Sequence, residues 1–360
     1  MAEGYFYGDE KFMNKTVVVG MSGGVDSTVA AYLLKEQGYN VIGVTMEMWR
    51  DEPEICEDGL EAREICKQLG IPHHIMYFKN EFEECVVDHF IDEYLHGRTP
   101  NPCVMCNRKI KWEALMEKAK EFGAEYVATG HYARVVQLPN GRYTVYASES
   151  KAKDQTYVLC QLTQEQLAHT LMPIGDYEKP RIREIAASLG LEVANKKDSQ
   201  DVCFIDDDYH SFLKERLGDN LPPEGNFVLK DGTVVGRHKG ITNYTIGQRK
   251  GLNIALGKPV FVNKIDVEKN EVVLGDNEDV FANSLIADGW NFISEETLDE
   301  EKIYSGKIRY SHKGTKCKVK KISDTEYQVN FLEPVRAVTP GQTVVLYDGD
   351  YVAAGGTICS

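Results

Sequence analysis

The sequence predicts an α/β protein: a parallel-sheet nucleotide-binding domain, then a small central domain, then a C-terminal antiparallel β-barrel. Three observations predict it. From Thr16 to Thr129, short apolar, β-branched runs alternate with helical stretches of about 10–15 residues, the pattern of a parallel sheet covered on both faces. Residues 206–282 are rich in glycine and short strand signals. From 283 onward the apolar positions alternate as in antiparallel strands, which a closed barrel can use without leaving edges. The expected domains are therefore 1–205, 206–282 and 283–360.

Taken in order, Thr16–Met21 reads as the first strand. Val25–Gln37 reads as a helix, because Val25, Val29, Tyr32 and Leu33 can share one face, and Gly38 ends it. Val41–Met46 is the second strand, Leu60–Leu69 a helix stopped by Gly70, His74–Phe78 a strand and Phe82–Leu95 a helix. Ile110–Phe122 is another helix, with Asn107 as a candidate cap, and Tyr126–Thr129 another strand. Tyr132–Leu138 and Arg142–Ala147 flank Pro139-Asn140-Gly141, a hairpin signal. Helical stretches follow at Gln164–Leu171 and Arg181–Leu189. Asp206-Asp207-Asp208 reads as a charged start to a helix at Tyr209–Leu213. Barrel strands are expected at Ser305–Tyr310, Lys316–Ile322, Glu326–Phe331, Thr343–Tyr347 and Tyr351–Ile358.

Composition narrows the function. The 360 residues contain 42% hydrophobic and 27% charged residues, the ordinary globular range, which excludes a disordered or collagenous chain. No apolar run approaches the ~20 residues needed to span a bilayer. The segment MAEGYFYGDEKFMNK has no apolar core, so it does not read as a signal peptide, and the expected location is the cytoplasm. There the nine cysteines are expected to be reduced, catalytic or metal-binding rather than a disulfide framework. The net charge of −15 taken alone argues against a nucleic-acid partner. The average hides confined basic stretches, however. Gly232–Lys258 carries five Lys/Arg and no acid, and Lys307–Lys321 carries seven and no acid. With Arg108, Lys109 and Lys111, these are the expected phosphate contacts.

The strongest motif is Gly20-Met21-Ser22-Gly23-Gly24-Val25-Asp26-Ser27, where the first strand turns into the first helix. Gly23 and Gly24 let backbone approach phosphate oxygens, and the free N–H groups at the helix start face the anion. Ser22 and Ser27 can donate hydroxyl hydrogen bonds. Asp26 has no sensible direct contact with phosphate but could hold Mg²⁺ between phosphates. There is no Gly-Lys-Ser/Thr, so this is not a Walker loop. S-G-G-x-D-S is the signature of pyrophosphate-loop ATPases, which cut ATP to AMP and pyrophosphate while adenylating a substrate.

The second feature is Gly97-Arg98-Thr99-Pro100-Asn101-Pro102-Cys103-Val104-Met105-Cys106-Asn107. Two prolines stiffen the segment before the cysteines. A thiol at a helix start among cations is expected to have a lowered pKa. Cys203 lies far along the chain, in Lys196-Lys197-Asp198-Ser199-Gln200-Asp201-Val202-Cys203-Phe204-Ile205. There is no second C-x-x-C, which counts against a four-cysteine zinc site. The other six cysteines have no motif around them and read as small buried hydrophobes.

These blocks resemble the tRNA-specific 2-thiouridylase family, called MnmA in bacteria. GMSGGVDS, GRTPNPCVMCNRKIKW, ATGHYAR, KDQTYVL, KKDSQDVCFI, YTIGQRKGL, KIRYSHKG and EPVRAVTPGQ run in family order over nearly the whole chain. The resemblance implies an adenine nucleotide alpha hydrolase-like first domain. It also implies ATP-dependent replacement of oxygen by sulfur at carbon 2 of the wobble uridine in tRNAs for Lys, Glu and Gln. It implies that Gly20 to Ser27, Met46 and Gly130 bind ATP, that Cys203 receives a persulfide sulfur and that Cys106 is its nucleophilic partner. Asn101, Pro102 and Cys103 match the target-base contact. His131, Lys153, Asp154, Gln155, Arg309, Tyr310 and Gln342 match tRNA contacts.

The chemistry agrees. A uracil carbonyl oxygen leaves poorly, and adenylation lets it leave as AMP. A persulfide on Cys203, filled by a cysteine desulfurase or relay protein, would supply sulfur. Cys106 would release it through a transient Cys106–Cys203 disulfide. Some family members have Asp in place of Cys103. Three thiols, Cys103, Cys106 and Cys203, could instead hold a 4Fe–4S cluster, so two sulfur routes stay open here. A pyrophosphate-loop ligase would need no paired cysteines, and a non-catalytic tRNA-binding protein would need no phosphate loop.

Overall fold

In the computed structural model, which describes residues 14–191, 202–205 and 207–360, the first apolar run becomes a central strand. Lys196 to Asp201 and Asp206, named above, lie outside the described residues, as do residues 1–13. Strands β1 (Thr16–Gly20), β2 (Asn40–Glu47), β3 (His73–Tyr77) and β4 (Tyr126–Ala128) join a short later strand, Thr170–Leu171, in one parallel sheet. Its order is β3-β2-β1-β4 and then Thr170–Leu171. Val17, Val18 and Val19 have no exposed surface because helices cover both faces. Burying each such side chain is worth about 1.5–3 kcal/mol. Helices α1 (Val25–Glu36) and α2 (Glu57–Leu69) connect these strands, and α2 stops at Gly70 in a left-handed cap (φ 64°).

The residues expected to bind the nucleotide all lie at one end of this sheet. β1 ends at Gly20, β2 at Glu47 and β4 at Ala128, so the 20–27 loop, Met46 and Thr129-Gly130 all lie at the carboxyl ends of parallel strands. That is where open α/β sheets bind ligands.

The structure changes several sequence expectations. The helical run bearing the cysteines begins at Pro102, not after Asn107. It runs as α-helix Pro102–Cys106, π-helix Asn107–Ala114 and α-helix Leu115–Ala119. Proline is pre-organised for a first helical turn, and Asn107 is buried inside the run instead of capping it. The expected helix Gln164–Leu171 is a helix only over Gln164–Ala168, with a Thr163 capping box. Thr170–Leu171 turns back into the parallel sheet. At the helix Tyr209–Leu217 the cap is Asp208, which accepts from His210 N (2.9 Å) and Ser211 N (3.1 Å).

The hairpin β5 (Ala133–Gln137) and β6 (Tyr143–Ala147) forms as expected but extends the C-terminal sheet: Tyr146 pairs with Tyr351. Strands Gly225–Leu229, Val234–His238, Phe261–Asp266 and Glu271–Gly275 make the central four-stranded sheet. The barrel strands are Phe281–Phe292, Tyr304–Lys307, Thr315–Lys321, Tyr327–Arg336, Thr343–Asp348 and Tyr351–Ile358. Phe281–Phe292 pairs with both Tyr327–Arg336 and Tyr351–Ile358, which closes the ring. Among the described residues no helix is long and apolar enough to cross a membrane.

Candidate active site

The 20–27 loop is closed by its own hydroxyls. Ser22 N donates to Ser27 Oγ (3.2 Å), Ser22 Oγ lies 3.2 Å from Ser27 Oγ, and Thr28 Oγ1 donates to Gly24 O (2.7 Å). Gly23 has φ 66°, and a Cβ there would sit 2.7 Å from Asp58 O, so glycine is required on two counts. The side chains of Met21 and Val25 are buried in the core, so only their main chain can face a nucleotide. Met46 Cε packs over Gly20. Gly130 lies against the start of α1, where a Cβ would come within 2.6 Å of Ser27 N. These contacts draw Gly20 to Ser27, Met46 and Gly130 into one cradle.

Asp26 is held by an ion pair and a hydrogen bond. Lys179 Nζ lies 2.9 Å from each of its oxygens, and Tyr132 OH donates to Oδ1 (2.8 Å). Lys179 is buried at the first position of the helix Lys179–Ser188. The sequence reading missed it because nothing local in Glu178-Lys179-Pro180 points to a loop so far away in the chain. It adds a cation beside an anion-binding cradle.

Cys103 is exposed in the first turn of its helix, and Cys106 is buried one turn later. Cys203 is exposed on the loop 202–205. The next residue, Phe204, anchors that loop. Its ring meets Phe90 (5.2 Å), Phe212 (5.3 Å), Phe82 (5.8 Å) and Trp49 (6.0 Å), contacts worth about 0.5–1.5 kcal/mol per aromatic pair beyond area burial. The three thiols act on one another electrostatically. Burial pushes Cys106 up to about 12; Lys111 opposes this, and the negative charges of Cys203 and Cys103 add to it. Cys103 and Cys203 keep exposed surface, yet desolvation by the protein packed around them also raises both, again against Lys111. The expected lowering of the thiol pKa is therefore reversed: desolvation outweighs the nearby cation. All nine cysteines are free, and no disulfide links Cys106 to Cys203. Among the described residues no group of three or more His, Cys, Asp or Glu is placed to hold a metal ion.

The expected RNA-facing residues are tied into the protein around these cysteines. Gln342 Nε2 donates to Thr99 O (2.9 Å) and Pro100 O (3.1 Å), and Thr99 N donates to Pro340 O (2.8 Å). Thr99 Oγ1 also donates to Thr245 Oγ1 (3.3 Å), so barrel and central domain both hold the loop before Asn101. Tyr310 OH donates to Asp154 O (3.1 Å), and Arg309 Nη1 to Arg336 O (2.8 Å). Asp154 caps its own turn, accepting from Ser148 N and Thr156 N, and Gln155 Oε1 accepts from Tyr132 N (2.8 Å). Lys153 ends the short turn Lys151–Lys153 beside them. His131 is buried, bonds Thr129 Oγ1 (2.8 Å) and packs on Trp112. Burial drives it down to about 3, so it is neutral.

Comparison with known proteins covers nearly the whole chain. The profile of the tRNA methyl transferase HUP domain matches residues 15–207, that of the tRNA methyl transferase PRC-barrel domain 210–276, and that of the aminomethyltransferase beta-barrel domain 282–358. The chain is 54% identical over 355 residues to the tRNA-specific 2-thiouridylase MnmA of Lachnoclostridium phytofermentans, covering 96% of this chain and 99% of that one. It is 52% identical to the protein of that name from Clostridium acetobutylicum (96% and 100% covered) and 51% identical to that from Clostridioides difficile (96% and 99%).

Proposed function

The chain belongs to the tRNA-specific 2-thiouridylase family, and from that premise we propose how its residues carry the reaction. The activity is ATP-dependent thiolation of carbon 2 of the wobble uridine of tRNA, with sulfur delivered from a cysteine persulfide. The observation that supports this most is the gathering of Cys103, Cys106, Cys203 and Lys111 into one electrostatic centre in the same domain as the phosphate cradle. Methyl transfer, for which two of the matching profiles are named, needs no ATP cleavage and no paired thiols.

Gly20 to Ser27, with Met46 and Gly130, bind ATP. Lys179 and the helix start face its phosphates. Mg²⁺, held mainly by phosphates and water, would supply charge neutralisation on the pyrophosphate. Asn101, Pro102 and Cys103 receive the flipped uridine. Its O2 attacks the α-phosphate of ATP and expels pyrophosphate. A donor of the cysteine desulfurase or relay class leaves a persulfide on Cys203. The Cys106 thiolate attacks the Cys203 sulfur that bears the outer one, forming the Cys106–Cys203 disulfide and expelling hydrosulfide. Hydrosulfide attacks carbon 2 and AMP leaves. An external dithiol then reduces the disulfide, restoring both thiols. No step passes through an iron–sulfur cluster.

His131 shapes the pocket wall, and Lys153, Asp154, Gln155, Arg309, Tyr310 and Gln342 line the RNA side. The domains divide near residues 206 and 283, and the enzyme works in the cytoplasm. The test is direct: protein, ATP, a persulfide donor and unmodified tRNA, then nucleoside digestion. 2-Thiouridine in the digest is the expected result. Its absence despite a loaded donor overturns the proposal and favours a ligase or a non-catalytic tRNA-binding protein.

A further inference from the structure

The helix that carries the cysteines widens directly after Cys106, and π-segments of this kind are frequent at functional sites. In an α-helix a residue five positions on points about 140° away. The i→i+5 bonding of Asn107–Ala114 turns Lys111, five residues after Cys106, back toward the Cys106 face. Its neighbours on the helix have partners: Arg108 Nη1 donates to Gln161 Oε1 (3.0 Å), and Lys109 bonds Glu113 (3.0 Å). Lys111 is half-buried and, among the described residues, its ammonium makes no hydrogen bond or ion pair. Its charge acts on Cys103, Cys106 and Cys203, and on one further titratable group, the neutral His131. A partly desolvated cation is costly, and an anion arriving beside it offsets that cost.

We propose that Lys111 is a catalytic residue that holds anionic sulfur through the transfer: the Cys106 thiolate, the Cys203 persulfide, and the hydrosulfide expelled when the two cysteines join. One cation then serves three successive charges without moving between sites. It also explains how a buried thiol can act as a nucleophile. Burial and the other sulfurs oppose ionisation, and Lys111 is the group that opposes them. The inference rests on the sulfur-transfer reading given above.

The test uses full-length enzyme with Cys203 preloaded with persulfide, ATP and unmodified tRNA, under single-turnover conditions. Pyrophosphate release and tRNA affinity are measured in parallel. Lys111→Met should slow 2-thiouridine formation about 100-fold at pH 7.5, the scale of losing one preorganised electrostatic group. Both rates should rise together from pH 7 to pH 9 and the deficit should hold across that window, because the Cys106 thiol lies at about 12 with the cation and higher without it. Lys111→Arg keeps the charge and should stay within a few-fold of wild type. Pyrophosphate release and tRNA affinity should be unchanged in both. An absent Lys111→Met deficit, or one matched by an equal loss of tRNA affinity, overturns the proposal; the second result would place Lys111 on RNA phosphate. Failure of the underlying reading looks different: thiolation that persists when Cys106 and Cys203 are both replaced by Ala.

Discussion

The proposed chemistry makes its sharpest demands on single residues: Cys203, Cys106 and the Asp26–Lys179 pair. Cys203→Ala should abolish thiolation while leaving tRNA affinity nearly intact, since the loop is anchored by Phe204 and not by the thiol. Equal loss of binding would mean that Cys203 is structural. The buried Cys106 thiol, pushed up to about 12, is mostly protonated near neutrality. Its thiolate fraction therefore grows about tenfold per pH unit well below that value. With persulfide preloaded, sulfur transfer should rise steadily from pH 7 to pH 9, with no limb from His131, which is already neutral. A plateau across that window would show that another group supplies the proton acceptor. For the Asp26–Lys179 pair, Lys179→Met leaves a carboxylate beside the phosphate cradle without its cation. Both the melting temperature and pyrophosphate release should fall. The double change Asp26→Asn with Lys179→Met should recover most of the stability but none of the activity, separating the structural from the chemical role.

At the scale of elements, the loop 97–101 and the helix it starts are held from three sides. Gln342 grips Thr99 and Pro100, Thr245 touches Thr99, and Gly341 lies against Glu93 and Arg98, themselves an ion pair. A hydrogen bond of this kind contributes about 0.5–1.5 kcal/mol net. Gln342→Ala should therefore slow thiolation at saturating tRNA by more than it weakens tRNA binding. The reverse, a large loss of affinity with turnover unchanged at saturation, would make Gln342 a simple RNA contact. The spacing of Gly, Pro and Cys made this loop legible as a site. Its clamp was not legible, because Gln342 sits in the barrel and its partners are main-chain carbonyls that leave no mark in sequence. The helix start at Pro102 had a local signal, but the Asn107 cap signal competed with it. Asn107 instead spends its amide on Val158 O (3.0 Å).

The whole molecule is acidic, yet its basic groups are confined. On Thr315–Lys321 the side chains alternate. Cys317 and Val319 enter the barrel, while Lys316 and Lys320 stand exposed and Lys318 is drawn to Glu301 (3.5 Å). Because phosphate contacts release counterions, the logarithm of tRNA affinity should fall linearly with the logarithm of salt concentration. Lys320→Glu should weaken binding and flatten that slope by about one unit. An unchanged slope would remove this strand from the RNA surface. The barrel is also larger than its own segment of chain, since the hairpin β5–β6 joins its sheet. Domain boundaries read along the chain therefore cross a physical sheet.

By itself the sequence determined the class of the first domain, the phosphate-loop motif, five of the six barrel strands, and the cysteines worth watching. Each of these rests on patterns a few residues long, where backbone geometry and local chemistry act directly. Only the tertiary structure decided that Asp26 is paired to Lys179, that the hairpin extends the barrel sheet, and that the charge of Lys111 acts on three thiols. It also decided the sign of the thiol shifts. A cation near a thiol is visible in sequence, but desolvation depends on everything packed around the sulfur, and here desolvation is the larger effect.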